Sequence, residues 1–172
     1  MNSSPTTMKD EHNSTYHQCK NKWMLYSHLP HDTDWSLKSY QNIIEITNIE
    51  QLISIFDIIP DKMIKNCMLF MMKNNITPLW EDENNRNGGC FSYKIANNDV
   101  PKVWKNLCYL LVGETLSKKK ANVTGLTISP KKNFCIIKIW LGDCNNQNPQ
   151  DINYFKGIDA QGCLFKKHLP EY

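Results

Sequence analysis

The chain has 172 residues, 41% of them hydrophobic and 22% charged, with 7 Gly, 8 Pro and a formal net charge of +3. This is the size of one domain, too apolar for wholesale disorder and without the repeats of collagen or a coiled coil. The charge alone does not argue for nucleic acid, and no run approaches the roughly 18 apolar residues of a membrane span. Residues 1–16 are small and polar, lack the apolar stretch of a secretory signal, and read as a flexible tail ahead of one domain over 17–172. Lys22–Ser27 and Tyr40–Ile46 read as strands. Asn48 opens a helix: Asn48 with Gln51 makes a capping-box pattern, Ile49, Leu52, Ile53, Phe56 and Ile59 recur at helical spacing, and Pro60 ends it. Cys67–Lys73 reads as a buried strand, 78–89 as loop, and Cys90–Ile95 as a strand. Asp99 is placed as the cap of a second helix with Pro101 in its first turn, running to Gly113, with Lys118–Lys120 beyond its end to suit the dipole. Gly125–Ser129 and Phe134–Leu141 are strands about a tight turn at 130–133, and 142–172 gives no clear pattern.

Two helices among six strands with short connections predict an α+β fold. It is a single curved, mainly antiparallel sheet, with helices on its convex face and a concave face left open for a ligand. The seven Cys form no Cys-x-x-Cys, and without a secretory signal they read as reduced thiols of a cytoplasmic protein.

The five Trp divide by context. Trp23 in a strand and Trp104 beside Leu107 and Leu111 on a helix face belong to the core. Trp35 and Trp80 stand in charged loops, His31-Asp32-Thr33-Asp34-Trp35 and Trp80-Glu81-Asp82-Glu83, where a large ring has little to pack on unless it meets a partner. Such rings suit a nucleic-acid base, worth roughly 1–3 kcal/mol in stacking, or a cation, worth about 2 kcal/mol or more when desolvated. A cationic base uses both. Glu81 beside Trp80 can accept two parallel hydrogen bonds, which the N1–H and 2-amino group of guanine supply. Strand alternation puts Ile136, Lys138 and Trp140 on the open face and Ile137, Ile139 and Leu141 on the helices. Lys138 with Lys131 and Lys132 of the preceding turn forms a small basic cluster suited to phosphates.

The segment Trp80-Glu81-Asp82-Glu83-Asn84-Asn85-Arg86-Asn87-Gly88-Gly89 resembles the signature loop of the eukaryotic translation initiation factor 4E family, the mRNA cap-binding proteins. Asn21-Lys22-Trp23, Trp104 with Leu107 to Gly113-Glu114, and Gly125 with Ile139-Trp140 support the resemblance at nearly the family's spacing, over residues 17–141. It implies a 7-methylguanosine held between Trp35 and Trp80. Glu81 would take the N1 and N2 donors, Trp140 would lie against the N7 methyl, and Lys131 would stand where the family has a phosphate-binding Arg. Placing Trp35 takes a one-residue gap on each side, and Tyr40 stands as the alternative second ring. A monomeric protein that recruits capped mRNA for translation follows, without catalysis, metal or cofactor.

The sequence also departs from the family. Its second phosphate-binding Lys falls on Ile136, leaving Lys138 roughly 7 Å further along the strand face to substitute, and a further Arg falls on Cys90. The resemblance implies a scaffold like translation initiation factor 4G, or a 4E-binding protein, docking a helical Tyr-x-x-x-x-Leu-apolar motif on the helical face. There the chain reads His17, Gln18, Ile49, Ile53, Lys105, Asn106 and Tyr109, with Ile53 in place of an anchoring Trp, a residue type that often carries most of an interface's energy. The excess of Asn, Ile and Lys is that of an AT-rich gene, and a divergent copy from a large DNA virus or a protist would suit it. A cap-sequestering regulator that engages no scaffold is the alternative. An enzyme built on Glu81, Asp82 and Glu83 as metal ligands is disfavoured, because consecutive loop residues seldom aim at one ion, and His28-x-x-His31 reads as a polar turn.

Overall fold

The computed structural model describes residues 15–119 and 121–169. The expected tail lies outside them except for its last two residues, as does Lys120. Strands run Gln18–His28 (β1), Tyr40–Asn48 (β2), Met68–Lys73 (β3), Gly89–Ala96 (β4), Val123–Pro130 (β5), Phe134–Leu141 (β6) and Leu164–Lys167 (β7). Helices run Ile49–Ile58 (α1), Asp61–Asn66 (α2) and Val100–Val112 (α3). The strands form one sheet in the order β2-β1-β3-β5-β6-β4-β7, and every pairing is antiparallel. This is the α+β arrangement expected.

Strand alternation divides the sheet into two faces. Leu25, Ile46, Leu69, Met71, Phe91, Leu126, Ile137 and Ile139 point to one side and form the main core with Leu52 and Phe56 of α1, Ile64 of α2, and Trp104, Leu107 and Leu111 of α3. Each fully buried Leu or Phe of this set contributes roughly 1.5–3 kcal/mol. The intervening residues Phe70, Met72, Cys90 and Trp140 form a smaller cluster on the helix-free face, edged by Tyr26, Tyr40 and Met68. Trp23 and Trp104 are buried in the main core, as expected.

The local signals were mostly sound. Asn48 Oδ1 accepts from Gln51 N at 2.9 Å, and Gln51 Oε1 accepts from Asn48 N at 3.3 Å, completing the capping box. Asp99 differs: it precedes α3 but takes helical backbone angles (φ −94°, ψ −15°) and makes no side-chain cap bond. A cap side chain reaches the helix amides from extended backbone, so that conformation withdraws it. Lys118 and Lys119 also serve otherwise. Lys118 Nζ donates to the carbonyl of Gln150 at 3.0 Å, and Lys119 pairs with Asp151 at 3.2 Å, fastening the C-terminal segment to the loop after α3. That segment then returns as β7 on the outer edge of β4.

Candidate functional site

Trp35 and Trp80 are exposed by 52% and 44% of their surfaces, and neither contributes to the core. Trp35 lies between β1 and β2. Its ring stacks on His28, the last residue of β1, with centroids 4.2 Å apart and planes 2° from parallel. His28 is buried (1% exposed), so the polar turn read for it is corrected: the ring is a pedestal inside the fold, while His31 is exposed. Tyr40 packs edge-on against His28 at 5.1 Å and against Phe70 at 5.1 Å. Of the two rings considered, Tyr40 is therefore half-buried within a ladder and Trp35 presents the open face.

The Trp80 loop is organised by its own polar residues. Asp82 accepts from Thr77 N (2.8 Å), Thr77 Oγ1 (2.7 Å), Asn84 N (2.9 Å) and Asn84 Nδ2 (3.0 Å). Burial opposes its charge, but these bonds win and hold its carboxyl below the usual range. An acid so committed is a loop organiser, and among the described residues no three His, Cys, Asp or Glu gather to hold a metal. Asn85, fully buried, donates to the carbonyls of Thr77 (3.1 Å) and Leu79 (2.8 Å). Ile76, in the connection leading to this loop, is seated in the cluster on the helix-free face. Glu81 thereby reaches the surroundings of Tyr40, whose hydroxyl is pushed up to about 12 by burial and then by Glu81. Tyr40 in turn touches the His28 beneath Trp35, so the exposed rings and Glu81 share one neighbourhood on this face.

Trp140 takes the expected face of β6 but is only 7% exposed. It is covered by His168 just beyond β7, with ring centroids 4.8 Å apart. His168 Nδ1 lies 2.7 Å from the carbonyl of Asn85, and its amide donates to the carbonyl of Gly88 at 3.0 Å, so the residue just after β7 is fastened to the Trp80 loop. Burial, with help from Lys138, pushes the His168 imidazole below its ordinary value against the pull of the Asn85 bond. The neutral ring carries its hydrogen on Nδ1 and leaves Nε2 as an acceptor.

Lys131 and Lys132 are exposed at the β5–β6 turn, where Lys131 N donates to the carbonyl of Phe134 at 2.8 Å. Lys138 stands midway along β6 between Thr127 of β5 and Ser92 of β4, with Ile136 nearer the turn. Cys90 pairs with Trp140 on one side and with Lys166 of β7 on the other. Burial raises its thiol, while Lys138 and Lys166 pull the other way, which brings both ammonium groups to the same patch. Lys166, His168, His28 and Asn85 were not among the site residues read from the sequence. The one local signal for the first two in the sequence is the basic run Lys166-Lys167-His168.

The expected partner residues fall on the opposite, helical face. The amide of His17 donates to the Glu50 carboxylate (3.1 Å), the His17 ring lies 2.6 Å from that carboxylate, and Ile49 N donates to the carbonyl of His17 (3.0 Å). Tyr109 of α3 meets Phe56 of α1 at 5.7 Å, and Lys105 pairs with Asp61 of α2 at 3.4 Å. Ile53 and Tyr109 are exposed, with Gln18 at the start of β1 and Asn106 half-buried on α3.

Comparison with known proteins agrees with this architecture. A family model described as "Eukaryotic initiation factor 4E" matches residues 18–157. Initiation factor 4E-2 of Schizosaccharomyces pombe is 28% identical over 141 residues, covering 77% of this chain and 56% of that protein. Human initiation factor 4E is 24% identical over 147 residues, covering 76% and 63%. The chain thus spans less than two thirds of these relatives. Among solved structures, Ascaris suum eIF4E-3 with m7G cap superposes with a TM-score of 0.68 at 19% identity, over 77% of each chain. Schistosome eIF4E complexed with m7GpppG and 4E-BP does so with the same score at 23% identity, over 77% and 75%. With the family model spanning most of the chain and both neighbours sharing its fold, the chain belongs to the eukaryotic initiation factor 4E family.

Proposed function

We propose that this chain binds the 7-methylguanosine cap of mRNA, stacking the cationic base between Trp35 and Trp80 and pairing its N1 and N2 donors with Glu81, for translation initiation. The observation that carries the reading is the pair of exposed indoles with a carboxylate beside them on the helix-free face. Such rings cost little to leave free only if a ligand covers them in use. Trp140 and His168 close the inner wall, and the neutral His168 adds no charge against a cationic base. The base chemistry asks only for positioning and charge, and nothing in the proposal involves bond cleavage. Tryptophan fluorescence titrated with methylated and unmethylated cap analogues tests it. The methylated form binds better by about 30-fold, from ~2 kcal/mol of cation–π energy; equal affinities remove the cationic part of the reading.

The phosphates would follow the basic groups of the same face. Lys138 and Lys166 flank Cys90, supplying charge where the family's basic residues are replaced by Ile136 and Cys90, while Lys131 and Lys132 wait at the turn. Because ammonium groups act as point charges, each contributes attraction without a bidentate fork. Lys138→Ala and Lys166→Ala each weaken a cap triphosphate several-fold more than the bare methylated nucleoside, measured by the same titration. Equal losses for both ligands take the lysine out of the phosphate path.

On the helical face, the exposed Ile53 and Tyr109, with Phe56 packed beneath Tyr109, offer apolar contacts for a helix of a scaffold resembling initiation factor 4G, with His17, Gln18, Ile49, Lys105 and Asn106 around them. Ile53 buries far less area than the Trp it replaces, which favours weak scaffold binding and supports a second reading, that of a cap-sequestering regulator. A pull-down with a 4G-type scaffold separates the two.

A further inference from the structure

His28 is the buried group that the site has not yet used. It is 1% exposed, lies parallel to Trp35 at 4.2 Å, and has Nδ1 3.0 Å from the carbonyl of Leu29 and Nε2 2.8 Å from the carbonyl of Asp34. Both ring nitrogens therefore face acceptors. Both bonds can form only when both nitrogens carry hydrogen, which is the charged ring. The neutral ring keeps one bond and sets a lone pair against the other carbonyl. The Trp35 loop is thus pinned through this imidazole, at the start by Leu29 and one residue before the indole by Asp34.

We propose that His28 is a positioning residue for Trp35, and that its charge sets how strongly the outer face of that indole attracts a cationic purine. The proposal rests on the reading of Trp35 as a base-stacking ring. The physical reason is that one indole cannot serve two cations equally. Its negative π face attracts a cation, and a charged His28 already lies against the inner face. A methylated guanine on the outer face would then sit roughly 8 Å from a like charge, close enough at the protein surface to change affinity about threefold or more. An unmethylated guanine, which is neutral, is spared.

The polar and charged groups around His28 come from its own loop and from the elements packed against it. In its own loop, Asp34 is held below the usual carboxylate range by bonds from Ser36, Asp32 accepts from Asp34 N, and His31 is exposed. From β2, Tyr40 stays neutral, its hydroxyl pushed up to about 12. From β3, the register partner is the uncharged Met68. From the Trp80 loop, Glu81 acts on the Tyr40 that packs against His28. Histidine is the side chain whose charge changes between about pH 5 and 8.

The test is the ratio of affinities for methylated and unmethylated cap analogues, measured at pH 7.5 and 5.5 on the wild type, His28→Phe, His28→Ala and His31→Gln. Titration of the phosphates cancels in the ratio, and titration of the base cancels between proteins. Divided by the ratio of His28→Phe at the same pH, the wild-type ratio falls about threefold or more on acidification, and His31→Gln follows the wild type. His28→Phe keeps the stack without the charge, whereas His28→Ala removes the pedestal and weakens both ligands together with an unchanged circular dichroism spectrum. A wild-type-to-Phe quotient that is flat in pH, with methylated cap still bound at pH 7.5, overturns the proposal alone. No binding of methylated cap by the wild type at pH 7.5 instead removes the stacking reading beneath it.

Discussion

Trp80→Ala and Glu81→Ala each abolish retention on 7-methylguanosine resin while the circular dichroism spectrum stays native. The spectrum holds because neither side chain carries the fold. Trp80 leaves 44% of its surface in solvent, and the loop is kept in shape by Asp82 and Asn85. Binding goes because the two residues supply different terms that the ligand cannot replace. Truncating the indole forfeits roughly 1–3 kcal/mol of stacking and about 2 kcal/mol of attraction to a cationic ring, a loss on the order of a hundredfold or more. Removing the carboxylate forfeits two charge-assisted bonds, each worth about 1.5–3 kcal/mol, and leaves the base's N–H groups facing a site that cannot accept them. Asp82→Ala provides the contrast: it strips four bonds from within the loop, so binding and loop order fall together. Normal retention of either the Trp80 or the Glu81 variant means that the ligand lies elsewhere.

Most of the architecture was legible because its signals are local. Alternation along β6 divided Ile137 and Ile139 from Lys138 and Trp140, and the structure divides them the same way. The capping box at Asn48 formed as read. What escaped depends on contacts distant in sequence. The six residues of α2 follow Pro60 too briefly to show a period, and β7 exists because β4 offers it an edge. His28 illustrates the same limit at the site: four residues of sequence suggest a turn, whereas Trp35, Tyr40 and two carbonyls, brought together by the β1–β2 connection, make it a buried pedestal. The exposed rings were legible for the opposite reason. Trp35 and Trp80 lie in charged segments with no apolar neighbours in register, and that mismatch needs no fold to be seen.

Gly88→Ala destabilises the protein and costs it the ligand as well. The requirement there is space: a Cβ would stand 1.7 Å from the carbonyl oxygen of Leu141, the residue after Trp140. Backbone, not a flexible side chain, lies in the way. Gly88 N donates to the carbonyl of Asn85 at 2.9 Å, and its own carbonyl accepts from His168 N at 3.0 Å. Three parts of the site therefore meet at this residue: the Trp80 loop, the end of β6 and the segment that lays His168 over Trp140. An added methyl must displace at least one of them. Overpacking of this kind costs roughly 1–3 kcal/mol, which lowers the melting temperature by about 3–10 °C in a domain of this size, and the displaced loop carries Trp80 and Glu81 with it. Gly113→Ala is the comparison. Its Cβ would meet the Tyr109 carbonyl at 3.1 Å, a contact the end of α3 relieves with a small shift, far from the rings. Gly113→Ala thus lowers the melting temperature slightly and leaves cap affinity unchanged, while Gly88→Ala lowers both. Parallel behaviour of the two variants in a cap titration would separate the glycine's role from the placement of the Trp80 loop.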